Sequence, residues 1–139
     1  MGNTNTIDEM NKVYLIDYGL ATRFRDKNGN HRPMKFMNST SGTLPFMSIS
    51  AHEFKSLSRK DDLLCLLYTV IYLKKKKLPW ETRRRFRKNS DLLYDYTLNK
   101  KINLKKKRLL KGLPEIYEEF YDYVNNMKFE EKPEYDKWM

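Results

Sequence analysis

Apolar residues gather into short runs separated by polar, turn-prone stretches. Lys12 to Ile16, "KVYLI", is rich in β-branched and aromatic residues and predicts a short strand. Arg25 to Thr43 is polar, with turn signals at Asn28-Gly29, Pro33 and Ser41-Gly42, and reads as a long loop. Loops of such length in compact domains are usually functional or disordered. Ser58 then offers a helix start: its hydroxyl can cap the first turn, and Asp61 stands at the capping-box spacing. In the following run, "DDLLCLLYTVIYL", Leu63, Leu66, Leu67, Val70 and Ile71 share one helical face. Leu64, Cys65, Tyr68, Tyr72 and Leu73 cover much of the remainder. A helix apolar nearly all round is buried nearly all round, so 58–73 is predicted to be a central post. The cations Lys74 to Lys77 suit its C-terminal end.

"SDLLYDYTL" predicts a second helix from Asp91, with Ser90 as its cap. A third follows Pro114, a residue suited to a first helical position, with Glu115 complementing the dipole. Ile116, Phe120, Val124 and Met127 make its apolar stripe, and Glu118, Glu119 and Asp122 fall largely away from it. There is no internal repeat. The expected fold is mainly α, with a short β element at the front and a buried central helix.

At 139 residues the chain is one domain by length. Its net charge of +10 is unevenly spread. Residues 1–73 carry nine basic and seven acidic groups, 74–111 sixteen and three, and 112–139 three and eight. The basic character therefore belongs to the middle segment, which is either a solvated lysine-rich surface or an attractor of phosphates, acidic proteins or nucleic acid. Trp80, Phe86, Tyr94 and Tyr96 interleave with it, as stacking on bases would require. Cys65 is the single cysteine, which excludes an intramolecular disulfide and a cysteine-based metal site. Its apolar surroundings point to a buried inert thiol. The longest apolar stretch, Leu63 to Leu73, is far too short for a membrane span, and no secretory signal opens the chain. A cytoplasmic or nuclear location is expected. "MGNTNT" matches the N-myristoylation pattern at Gly2 and Thr6, and "NST" at Asn38 matches a glycosylation acceptor.

"VYLIDYGLA", "SGT", "SIS", "SRKDDL", "LPW" and "KFEEKPEY" occur in that order. Together, over roughly Lys12 to Tyr135, they resemble the C-terminal lobe of a protein kinase of the casein kinase 1 group, close to the vaccinia-related kinases. Asp17-Tyr18-Gly19 resembles the Asp-Phe-Gly motif, and Ser48-Ile49-Ser50 the Ser-Ile-Asn that this group uses in place of Ala-Pro-Glu. Ser58 to Leu63 resembles the start of the buried central helix, Leu78-Pro79-Trp80 its connection, and Phe129 to Tyr135 a closing signature. The resemblance implies ATP and magnesium as cofactors and serine/threonine phosphorylation as the activity of the parent family. It divides the chain into a strand and Asp-Tyr-Gly segment (12–24), a substrate-loop-like region (25–57), the central helix (58–73), the basic segment (74–111) and a closing helix (112–139).

What each motif would contribute follows from the chemistry. Phosphoryl transfer needs positioning and charge neutralisation. By resemblance Asp17, with Gly19 beside it, faces the nucleotide, and its carboxylate binds magnesium, a hard cation seeking oxygen. Thr43, on the substrate side, helps place the acceptor hydroxyl; Asp62 holds the catalytic-loop backbone; Trp80 is a packed structural residue. The sequence has no glycine-rich loop, no strand lysine with its helix glutamate, and no His-Arg-Asp loop, since neither His31 nor His52 precedes Arg-Asp. Met1 thus reads as an internal methionine of a longer kinase, which removes the force of the acylation match.

Within the matched part, Gly42 to Phe46 reads Gly-Thr-Leu-Pro-Phe where the family has Gly-Thr-Ala-Arg-Tyr, so Pro45 replaces an anion-binding arginine. A companion lysine falls at Leu93, and the glycine usual after Asp62 is Leu67. The expectation is a truncated kinase, inactive alone, with little binding of ATP or magnesium. Pseudokinase-like protein binding is the alternative, and nucleic-acid binding ranks below both. Four large apolar side chains left without partners would cost roughly 6–12 kcal/mol, comparable to a domain's whole stability of ~5–15 kcal/mol. The chain is therefore expected to pair with a complementary kinase lobe or another protein, or to self-associate through exposed apolar surface.

Overall fold

The structure is a computed structural model that describes residues 12–82 and 89–138. The acylation match at Gly2 and Thr6, the reading of Met1, and Phe86 lie outside the described residues.

The fold is mainly helical. A single 3-10 turn at Tyr18–Leu20 is followed by α1 (Ile49–His52), α2 (Arg59–Lys75), α3 (Ser90–Asn103), α4 (Lys106–Leu109), α5 (Ile116–Asn126) and α6 (Tyr135–Trp138). The strand expected at Lys12–Ile16 does not form: the segment is irregular and exposed, with Val13 96% accessible. A strand needs a ladder partner, and among the described residues none lies beside it. Among the described residues, antiparallel pairing is confined to isolated bridges, Arg25 with His31 and Phe36 with Lys55. The first closes the turn anticipated at Asn28-Gly29. There the Asp26 carboxylate accepts from the Asn28 and Asn30 amides, and Gly29 takes φ 85°.

Helix α2 begins where its capping signal predicted, the Asp61 carboxylate accepting the Ser58 N–H at 2.9 Å. It runs on to Lys75 and ends at Lys76, whose N–H still bonds the Tyr72 carbonyl while its φ of 56° turns the chain out of the helix. The buried face is Leu64, Leu67, Tyr68 and Ile71, offset from the face expected. Leu66 and Leu73 are 54% and 57% exposed, so the helix is not buried all round. Where nearly every position is apolar, spacing alone cannot say which side has a neighbour. Helix α3 is capped by Asn89 rather than Ser90: the Asn89 side chain accepts from the Asp91 and Leu92 amides, while the Ser90 hydroxyl turns to the Asp91 carboxylate. In α5, Val124 and the following Met127 are buried as expected and Phe120 packs on the core, but Ile116 is half exposed. Its place on the inner face is taken by Tyr117, which joins Phe120, Tyr121 and Val124 at i, i+3, i+4 and i+7.

Helices α2 and α5 pack on each other, as do α1 and α3. Leu78, Trp80, Leu109 and Leu110 close the core around the α2 face. Basic side chains fasten α2 at both ends. Arg59 donates to the Glu130 carbonyl and Lys60 to that of Met127, while Lys75 donates to the Leu109 carbonyl at 2.7 Å. Lys106 bonds Asp122 on α5, so part of the basic segment answers the acidic tail, although an exposed pair of this kind is worth little.

In urea unfolding, Ile71→Ala is expected to cost about 2–5 kcal/mol through the cavity it leaves, whereas Leu66→Ala should change stability by under about 1 kcal/mol. Lys76→Gly should gain about 1 kcal/mol by relieving its left-handed backbone.

Candidate functional site

Two clusters hold the residues singled out by the sequence. The first is a groove of about 680 Å³ between the 15–24 segment and the outer face of α2, lined by Asp17, Asp62, Arg59, Cys65, Leu66 and Thr69 among others. Asp17 sits in the left-handed region, φ 62° and ψ 74°, its carboxylate accepting from the Gly19 amide at 3.3 Å. A short polar side chain that bonds its own backbone is what makes that conformation tolerable in a residue with a Cβ. Gly19 serves the same turn, since a Cβ there would stand 3.3 Å from the Asp17 carboxylate oxygen and crowd the bond.

Asp62 makes no side-chain hydrogen bond among the described residues. Burial, and then the neighbouring charge of Asp61, raise its carboxyl above the ordinary range. Burial also pushes the Cys65 thiol up to about 11, which keeps it protonated and inert. The Arg59 guanidinium lies 4.5 Å over the Phe24 ring and is held by the Glu130 carbonyl. The structure thus brings Asp17 and Asp62 to one groove, while Gly19 supports the Asp17 turn without lining it.

Thr43 and Trp80 belong to the second cluster, the loop 43–47. Thr43 is exposed, and its carbonyl accepts the Phe46 N–H at 2.8 Å. Trp80 is 2% exposed, donates its indole N–H to the Pro45 carbonyl at 2.7 Å, and meets Tyr68 edge to face. Pro45 and Leu93, both standing where the resemblance expects a cation, line one shallow cavity with Lys77 and Glu81.

Two residues of this cluster escaped the sequence reading. Lys101 is buried, and its ammonium donates to the Met47 carbonyl at 2.6 Å, the Leu44 carbonyl at 3.1 Å and His52 Nε2 at 3.1 Å. It also lies 5.0 Å from the Trp80 ring centre and 5.4 Å from that of Tyr68. Burial lowers Lys101 to about 7. Burial, and then the Lys101 charge, lower His52 to about 4. The one available signal was that Tyr94, Thr97 and Lys101 share a helical face; beside Lys100, nothing else marks Lys101 in the sequence.

The sequence that builds this groove and loop has a counterpart among known proteins. Over 137 residues the chain is 35% identical to the casein kinase I homolog RAG8 of Kluyveromyces lactis. The chain is similar to a piece of a casein kinase I. The match covers 98% of this chain and spans 25% of that relative's length, which supports a casein-kinase-I-like fragment. No protein-family model matches. Among the described residues, no helix is long and apolar enough to cross a membrane.

The His52 environment makes stability depend on pH. In the unfolded chain the imidazole takes up a proton near its ordinary 6.5, whereas in the fold it stays neutral down to about 4. Between those values the unfolded state holds more protons, so the His52 contribution to stability should rise with pH and reach its full value above 6.5. Urea unfolding at pH 4.5 and 6.5 should show a gain of up to about 2–3 kcal/mol, and His52→Gln should flatten it.

Proposed function

We propose that the chain is part of the C-terminal lobe of a casein-kinase-1-like serine/threonine kinase, presenting the magnesium-facing and substrate-side elements but not transferring phosphate by itself. The observation that carries this reading is the groove along the outer face of α2 with Asp17 at its edge. In it Asp17 is the carboxylate that would hold magnesium, and Asp62 the one that would brace a backbone segment laid along the groove. Thr43, on the separate 43–47 loop, would place the acceptor hydroxyl.

The groove's donor set does not fit a magnesium nucleotide unaided. Magnesium demands near-octahedral oxygen coordination and is usually held by carboxylates together with phosphates, and no group of three metal-binding side chains gathers among the described residues. Polyphosphate needs cationic donors, yet Arg59, the one basic lining residue among those described, is engaged with Glu130 and Phe24. Much of the wall is apolar instead, with Leu15, Ile16, Leu20 and Leu66 all more than half exposed. A surface of this kind suits a complementary lobe that would supply the base, the lysine and the phosphate cover, or, failing that, a second copy of the chain.

A basic groove of about 560 Å³, lined by Lys74, Lys75, Arg108 and Lys111, favours a second reading as a binding module for acidic protein. Among the described residues no aromatic side chain lines it, so none of them offers a platform for base stacking there. Salt-dependent retention on an acidic-protein column but not on DNA would support this second reading.

Incubated with radiolabelled ATP and magnesium, the purified chain is expected to show no hydrolysis or autophosphorylation above background; activity abolished by Asp17→Ala would overturn the proposal. Sedimentation should show concentration-dependent self-association, reduced by Leu66→Gln. A sharp monomeric melt in the ordinary mesophile range would count against an unsatisfied apolar face.

A further inference from the structure

The structure assigns Lys101 as the positioning residue of the 43–47 loop: its ammonium draws the Leu44 and Met47 carbonyls onto α1 and the Trp80 wall and so fixes where Thr43 stands. The functional meaning of this role rests on reading 43–47 as the substrate-side loop; the tie itself does not.

The loop has no ladder to shape it. Its carbonyls are instead claimed one by one: Thr43 by the Phe46 amide, Pro45 by the Trp80 indole, and Leu44 and Met47 by Lys101. The ammonium's three protons thus meet three acceptors, two from the loop and the third His52 Nε2 on α1. To accept, that nitrogen must be unprotonated. The α1 helix is in turn held to α3, the helix that carries Lys101, because the Tyr94 hydroxyl donates to the His52 carbonyl at 2.9 Å.

Lys101 has no counter-ion. It forms no ion pair among the described residues, and the buried Asp61 carboxylate spends one oxygen on the Ser58 amide. The titratable groups facing it are His52 from α1 and Cys65 and Tyr68 from α2, with the thiol and phenol protonated near neutrality. A desolvated cation without an anion is costly, and a methionine of similar length would fill the space without that cost. What the lysine supplies and methionine cannot is a set of donors aimed at the loop. The Trp80 and Tyr68 rings help hold the charge in place.

The test is residue-resolved hydrogen exchange on the full chain. Lys101→Met should raise exchange at the Phe46 amide and the Trp80 indole at least tenfold, while the Leu67 and Ile71 amides of α2 change less than twofold. Lys101→Arg, which keeps a cation, should restore part of the loop protection. Loop and α2 moving together, or neither moving, would make Lys101 core filling and overturn the assignment. Should the variants fail to fold, the wild-type chain still decides. Raising pH from 6 to 11 carries the ammonium, whose titration burial lowers from its ordinary 10.5, through neutralisation and should shift the Trp80 ring resonances; no shift overturns the proposal. An acceptor peptide that leaves the loop resonances unmoved would undermine the substrate-loop reading while leaving the tie intact.

Discussion

The burial of one face of α2 is the constraint from which the rest of the structure hangs. Leu64, Leu67, Tyr68 and Ile71 meet Val124, Trp80, Leu109 and Leu110, and each fully buried large side chain contributes about 1.5–3 kcal/mol. With that face committed, the opposite one, carrying Leu66, Cys65 and Asp62, becomes the wall of the Asp17 groove. The same face brings Tyr68 against Trp80 and so sets the platform under Lys101. Core and candidate site are thus two sides of one helix. A shift in how α2 packs would displace both.

Cations do much of the fastening around this helix, and they do so as hydrogen-bond donors more than as ion-pair partners. Arg59, Lys60, Lys75 and Lys101 all end on backbone carbonyls. A long flexible side chain can run its methylenes over apolar surface and bring its charged head to an otherwise orphaned carbonyl. In a chain whose described loops form no extended ladder, such donors replace the sheet as the means of satisfying backbone oxygens. Basic composition is therefore in part an internal structural property here, and it overstates the charge available to an outside partner.

Much of the helical framework was legible along the chain. The Ser58–Asp61 signal located the start of α2, and the apolar run after it could only be a core helix. The acidic positions of α5 faced away as their spacing required. The facing of α2 was not legible, because a helix apolar on most sides has no periodicity to read; Leu66 and Leu67 are chemically equivalent until a neighbour covers one. Nor was the fate of Lys12–Ile16, whose β propensity forms no strand without a ladder partner beside it. In the candidate site, Asp17, Gly19 and Asp62 could be named from motif order. His52 and Lys101 could not, since they lie 49 residues apart and meet only in the folded chain.

By itself, then, the amino-acid order determined features that depend on near neighbours: the cap of α2, the Asp26 turn, the left-handed Asp17 steadied by its own carboxylate, and the likeness to a casein kinase I. Tertiary structure decided which apolar face is core and which is groove wall, and which lysine is surface and which is buried. The physical reason is range. Caps and turns are satisfied by partners within about four residues, while burial and the energetic cost of a charge depend on what the fold packs against them.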